Sequence, residues 1–290
     1  MSDLSLRSFF DEATHTVSYL IADPASAQAA VIDPVLDYDS RTGRIGHASA
    51  DRLLQAIEQD GLRLAWILET HAHADHLSAA AYLKQRTGAR IGIGERIRDV
   101  QRTFAPLFNQ PDISGDGREF DHLFADGETF ALGGKTIEVL HTPGHTPACV
   151  AYRIDDAVFV GDTIFMPDYG TARVDFPGGS AEALYRSIQR LLSLPDATRL
   201  FLCHDYKAPG RDHYAWETTV AEQKAHNVHI GGDVDEASFV RMRRERDATL
   251  SAPALLLPSL QVNIRAGTLP PAEDNGRRYL KIPIKGGESP

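Results

Sequence analysis

Six consecutive residues, His71-Ala72-His73-Ala74-Asp75-His76, place four potential metal ligands in one short stretch of chain. Imidazole nitrogen and carboxylate oxygen are common side-chain donors for zinc and non-haem iron, so the chemistry indicated is metal-assisted. Standing alone, such a cluster also fits a solvated turn in which Asp75 caps the next helix. Three further positions argue against that plainer reading. His145 lies in His141-Thr142-Pro143-Gly144-His145-Thr146, where Pro and Gly stop a strand and present the next side chain from a tight turn. Asp162 follows a short apolar run in Val160-Gly161-Asp162-Thr163, and His204 follows Leu200-Phe201-Leu202-Cys203. Four strand ends thus each deliver a candidate ligand.

Those positions depend on elements that the hydrophobic pattern predicts. β-like runs span 16–21 and 29–33, the second ending at Pro34. A helix is expected over 51–59, with Leu53, Leu54 and Ile57 on one face and Gly61 just past its end. A buried strand over 64–68 leads into the His cluster, and a helix over 77–87, closed by Gly88, leaves it. The cluster therefore occupies a strand-to-helix loop. Residues 129–132 and 136–140 flank Gly133-Gly134 as a hairpin, and 148–154 and 157–160 flank Asp155-Asp156 as another. A helix over 181–192 and a strand over 200–203 complete a pattern of hairpins interleaved with amphipathic helices, which implies two sheets covered by helices. Beyond His204 the composition changes. Residues 216–226 and 236–250 read as helical, and 253–290 is Pro-rich with little periodicity, suited to a lid, a dimer arm or a packed strap. A homodimer stays open on this reading.

With 290 residues and 42% hydrophobic content, the chain can bury a core without disulfides. The expected organisation is a catalytic domain over 1–230 and a C-terminal extension over 231–290 packed on the same domain. A net charge of −10 argues against a nucleic-acid footprint, so any anionic ligand must be met by local basic residues. Cys149 and Cys203 are the only cysteines; they suit buried small hydrophobes and a reducing compartment. The Met1–Arg7 stretch lacks a basic region followed by an apolar run, and no window approaches the roughly 20 apolar residues of a spanning helix. A cytoplasmic protein with no membrane partner is the expectation.

Taken in order, Thr70-His71-Ala72-His73-Ala74-Asp75-His76, then Thr142-Pro143-Gly144-His145-Thr146, Gly161-Asp162-Thr163 and a strand-terminal His204 resemble the metallo-β-lactamase superfamily. The resemblance spans Thr70 to His204. It implies an α/β fold, a four-layer αββα sandwich with the metal site at one edge of the two sheets, here carrying a C-terminal helical and Pro-rich extension.

Fold alone does not name the reaction. The stretch Gly170-Thr171-Ala172-Arg173-Val174-Asp175-Phe176 after Asp162, and His204-Asp205-Tyr206-Lys207, are similar to the persulfide dioxygenase branch, which oxidises glutathione persulfide with O2 to sulfite and glutathione. That resemblance implies one Fe(II) per chain held by His71, His145 and Asp162, which are also the catalytic positions. A two-His-one-carboxylate face leaves positions open for a persulfide sulfur and O2. His73, Asp75, His76 and His204 then orient ligands or move protons. The rival is a hydroxyacylglutathione hydrolase of the glyoxalase II type, in which these residues bind a second metal, with zinc as the alternative ion. Both readings share glutathione, an anionic tripeptide for which Arg173, Tyr206, Lys207 and Arg211 are candidate contacts. For Lys207 and Arg211 the plainer reading is charge decorating a solvated loop, and for Arg173 a pairing with Asp175. A non-catalytic metal-stabilised scaffold is disfavoured because every ligand position is filled. His15, His47, His122, His213, His226 and His229 lack ligand-like context, and His141 at most supports its neighbours.

Overall fold

All eight residues of Thr16–Asp23 are buried. An antiparallel strand facing water on one side alternates apolar and polar residues, so a strand buried throughout must be covered on both faces. Val17, Tyr19 and Ile21 enter one core while Leu20 and Ala22 enter another. This period-2 division dictates a layered architecture.

A computed structural model describes residues 4–284. Met1–Asp3, part of the leader reading, and the last six residues of the Pro-rich tail lie outside the described residues. In chain order the first half carries β1 (Ser5–Asp11), β2 (Thr16–Asp23), β3 (Gln28–Ile32), the short β4 (Val35–Leu36), β5 (Tyr38–Asp39) and β6 (Arg44–Ile45), and α1 (Ala48–Gln59). Next come β7 (Arg63–Leu68), β8 (Leu77–Ser78), α2 (Ala80–Thr87), β9 (Arg90–Gly94), α3 (Ile97–Leu107) and β10 (His122–Phe124). The second half carries β11 (Thr129–Leu132), β12 (Lys135–His141), β13 (Val150–Ile154), β14 (Ala157–Phe159), α4 (Ala181–Leu192), β15 (Arg199–Phe201), β16 (Glu217–Thr219) and α5 (Val220–His226). Helices α6 (Glu236–Asp247) and α7 (Leu256–Asn263) follow.

Two six-stranded sheets result, ordered β1-β2-β3-β7-β9-β10 and β11-β12-β13-β14-β15-β16. Their facing sides share a core that includes Tyr19, Trp66, Phe124, Tyr152, Phe159 and Phe201. A second core joins the outer face of the first sheet to α1, α2, α3 and α7, and a third joins the second sheet to α4, α5 and α6. Three cores separate four layers, so the αββα sandwich expected from the sequence is present. Among the described residues no helix is long and apolar enough to cross a membrane.

Three local expectations shift. The helix expected over 77–87 starts at Ala80, because Leu77 and Ser78 pair with Leu36 and Val35 as β8. The helix expected over 216–226 splits. Glu217–Thr219 is an edge strand beside β15, and Thr219 then caps α5 through a Thr219/Glu222 capping box. The Pro-rich tail contains α7, whose Leu260 and Val262 are fully buried. Pro258 is tolerated because it falls in the first turn, where backbone N–H groups have no intrahelical acceptor.

Candidate metal centre

The ligand loop begins where β7 ends and runs without regular structure from Glu69 to His76. Asp33, at the end of the neighbouring β3, grips its start. Its Oδ1 accepts from the Thr70 backbone N–H at 2.7 Å and its Oδ2 from the Thr70 hydroxyl at 2.8 Å. That hydroxyl lies 3.0 Å from His71 Nδ1. Because its own proton goes to Asp33, it accepts from Nδ1–H, and His71 Nε2 keeps a free lone pair. The same logic fixes two more rings. His145 Nδ1 donates to the Arg173 carbonyl at 2.8 Å, and His204 Nδ1 to the His15 carbonyl at 3.1 Å. His73 is reversed: its Nε2 faces Asp33 Oδ1 at 2.9 Å and Glu69 Oε2 at 3.7 Å, outside hydrogen-bond alignment, and its Nδ1 is left without a hydrogen-bond partner.

Two glycines allow the loops to approach. Gly161 has φ 54°, and a Cβ there would lie 2.7 Å from the Thr70 hydroxyl. Gly144 has φ 145°, with a would-be Cβ 2.3 Å from the Leu184 backbone. A side chain at Gly161 would push Asp162 away from the ligand loop, and one at Gly144 would push the His145 turn away from α4.

Asp162 Oδ2 lies 3.8 Å from His71 Nε2 and 3.6 Å from His145 Nε2, while its Oδ1 lies 3.3 Å from His204 Nε2. His204 Nε2 is also 3.3 Å from Asp75 Oδ2, which is 3.4 Å from His76 Nδ1. The donors form overlapping groups, His71/His145/Asp162, Asp75/Asp162/His204 and His73/Asp75/His76, each with ligand atoms within 4.8 Å of one another. His71 Nε2, His73 Nδ1, His76 Nε2, His204 Nε2 and Asp162 Oδ1 are buried without a hydrogen-bond partner. Burying that many orphaned polar atoms is costly unless a cation takes their lone pairs, and a set of imidazoles and carboxylates fits zinc or iron.

Electrostatics agree with this reading. Burial and the His73 imidazole push His71 well below the ordinary histidine range, and burial and His76 do the same to His73, favouring the neutral rings that ligate metals. For His204, burial is outweighed by the Asp162 and Asp75 carboxylates, which raise its basicity. Against the upward push of burial, His204 and His76 hold Asp75 well below the usual carboxylate range. Burial and the adjacent Asp33 push Glu69 well up.

The structure thus brings together all seven sequence-derived ligand candidates. The four glutathione candidates fare differently. Arg173 Nε and Nη2 each donate to Asp175 at 2.6 Å, and its Nη1 donates to the Ser251 carbonyl at 2.8 Å. Arg211 joins Asp168 and Asp205. Tyr206 is 38% exposed and stacks beside His204, with ring centroids 5.5 Å apart. Lys207 Nζ sits 4.3 Å from the Tyr214 ring centroid.

Several supporting residues escaped sequence reasoning. Asp33 announces itself only as a strand-ending Asp-Pro. Thr16 Oγ1 lies 3.4 Å from both His76 Nδ1 and His204 Nδ1, and the His15 carbonyl holds His204. Arg243, Asp247 and Asn263, in the segment after His226, carry no local signal. Arg243 is buried, bonds Asp247, and donates to the Thr171 carbonyl at 3.2 Å, while Asp247 accepts from the Val174 N–H at 2.8 Å. These two bonds bracket Arg173, whose carbonyl holds His145.

With this fold and donor set, the chain belongs to the metallo-beta-lactamase superfamily, whose family model matches residues 12–204, and it is an enzyme of that metallo-hydrolase superfamily. It is 55% identical to a probable metallo-hydrolase of Burkholderia pseudomallei, over 97% of this chain and 99% of that one. Glyoxylase B2 of Dictyostelium discoideum is 50% identical, over 93% of each chain. The human mitochondrial persulfide dioxygenase ETHE1 is 28% identical, over 92% of this chain and 90% of that one. Among solved structures, ETHE1 from Myxococcus xanthus superposes with a TM-score of 0.73 at 31% identity, covering 91% of this chain and all of that one.

Proposed function

We propose that the protein is a persulfide dioxygenase in which His71, His145 and Asp162 hold one ferrous iron. One glutathione persulfide, one O2 and one water then give glutathione, sulfite and two protons. The observation that carries the reading is the group of three buried donors, two imidazoles and one carboxylate, with both rings already turned to offer Nε2. Likeness to the ETHE1 structure along its full length supports it. Iron held there supplies the redox chemistry that joins O2 to a persulfide sulfur.

The chain's own residues do the rest. Asp33 and Thr70 keep His71 in the ligating tautomer, and the Arg173 carbonyl does so for His145. His204, made more basic by Asp162 and Asp75, is in place to hold a proton on Nε2. His73, Asp75 and His76 complete the polar wall. Tyr206 and Lys207 offer a phenol and an ammonium for the tripeptide's carboxylates, while Arg173 and Arg211 act through the loops that they brace. The two free, buried cysteines support a cytoplasmic location.

A second reading has its own observation. The unpartnered Nε2 atoms of His76 and His204, with Asp75 alongside, would suit a second metal, as a hydroxyacylglutathione hydrolase requires. The likeness to glyoxylase B2 points the same way. Metal analysis of anaerobically purified protein, paired with an oxygen electrode, separates the two. One iron per chain and O2 uptake with glutathione persulfide are expected; two zinc ions with thioesterase activity would overturn the dioxygenase. In the mononuclear enzyme His76→Ala keeps one metal per chain by the same analysis.

A further inference from the structure

Residues 71–76 carry four donor side chains, yet among the described residues their backbone makes no hydrogen bond to other backbone. A loop so held would wander. Its carbonyls are met by one buried side chain from the far end of the sequence, Asn263 at the close of α7. Asn263 Nδ2 donates to the His73 carbonyl and to the His76 carbonyl, both at 2.8 Å. Its Oδ1 accepts from the Ser78 N–H at 2.8 Å, just past the loop. Both amide protons and one lone pair therefore close on a single short stretch. The helix beneath is fixed in turn, with Leu260, Val262 and Ile264 in the core and Gln101 Nε2 donating to the Ile264 carbonyl at 2.9 Å.

We infer that Asn263 is a positioning residue for the metal centre. By pinning the carbonyls of His73 and His76 it sets the directions in which the donors of the loop point. The inference rests on reading the cluster as a metal site, but on neither metal count nor reaction. A planar amide with two donors is required. A carboxylate would set oxygen against both carbonyls, and a hydroxyl reaches only one of them.

The test uses the full chain, stripped of metal and titrated with cobalt(II), with a chelator in competition and the visible cobalt spectrum as a second readout. Asn263→Asp and Asn263→Ala are expected to bind cobalt(II) about 10–100-fold more weakly, with shifted bands, as supporting residues around metal ligands do. Asn263→Ser, which keeps one donor, falls between them and the wild type, and reads the effect if the harsher variants do not fold. Leu260→Ala lowers the melting temperature of the metal-free protein but leaves the affinity of the folded protein unchanged. Cobalt affinity within about twofold of wild type and an unshifted spectrum in the Asn263 variants would overturn the inference. An equal loss of affinity in Leu260→Ala would do so as well, by reducing Asn263 to general stability. Failure of the wild-type protein to bind cobalt(II) would instead overturn the metal-site reading, and this inference with it.

Discussion

Helix α7 reaches the loop that carries four candidate metal donors and α6 reaches the segment that holds a fifth, His145, and they do so with different chemistry. From α6, Arg243 and Asp247 form a buried charge pair at 2.7 Å and grip Thr171 and Val174, so that Arg173 between them presents its carbonyl to His145. From α7, a neutral amide touches the His73 and His76 carbonyls directly. The charged clamp acts at one remove and depends on both partners, because breaking a buried pair leaves an uncompensated charge. The amide acts in contact and is indifferent to salt and pH. Burial does not divide the two sides: His73 and His76 are fully buried, but the Asp75 side chain in the same loop is 23% exposed, more than His145 at 7%.

The largest expected effect removes what both sides share. Asp162 contacts His71, His145 and His204, so Asp162→Ala abolishes stoichiometric metal binding by elemental analysis; full retention would break the assignment of either side. Next, Arg243→Met strands Asp247 and costs about 3–5 kcal/mol in urea unfolding, much of which Arg243→Met/Asp247→Leu restores. If the single variant costs under about 1 kcal/mol, the α6 clamp is not one.

A smaller effect separates the sides by pH. His229 accepts from the Thr171 N–H at 2.9 Å, and burial, with Arg243 and Arg246 adding to it, lowers its pKa to about 4. The folded protein thus binds fewer protons than the unfolded chain between about pH 6.5 and 4. The stability that this group contributes is present in full above pH 6.5 and is lost as pH falls toward 4. His229→Gln should flatten that part of the wild-type unfolding profile, while Leu260→Ala on the α7 side leaves its slope unchanged. The smallest effect concerns Arg173, whose pair with Asp175 is partly exposed: Arg173→Ala shifts stability by less than about 1 kcal/mol in the same assay.

What was legible in the sequence follows the reach of the interactions. Strands such as Thr16–Asp23 and the hairpin at Gly133-Gly134 are written in neighbouring residues, and so are His145 and Asp162, because Pro143-Gly144 and Gly161 mark the turns that present them. Helix α3 was hidden by Pro106 near its end and β9 by Gly92 and Gly94, residues that speak against regular structure until packing overrides them. Gly92 is there because the Phe124 ring leaves no room for a Cβ. Asn263 lies 187 residues from His76, and no periodicity or local motif connects them. Arg173 shows the opposite case. Its plainer reading, a partner for Asp175, is the contact observed.

Placing an anchor of the ligand loop at residue 263 also sets an order of events during synthesis. Every donor has been translated once His204 is added, yet at about 5–20 residues per second another 3 to 12 seconds or so pass before Asn263 joins the chain. A nascent or prematurely terminated chain therefore carries the whole ligand inventory on an unclamped loop. On the inferred role of Asn263, its addition to the chain, rather than the appearance of the candidate ligands, is what brings the centre to full affinity.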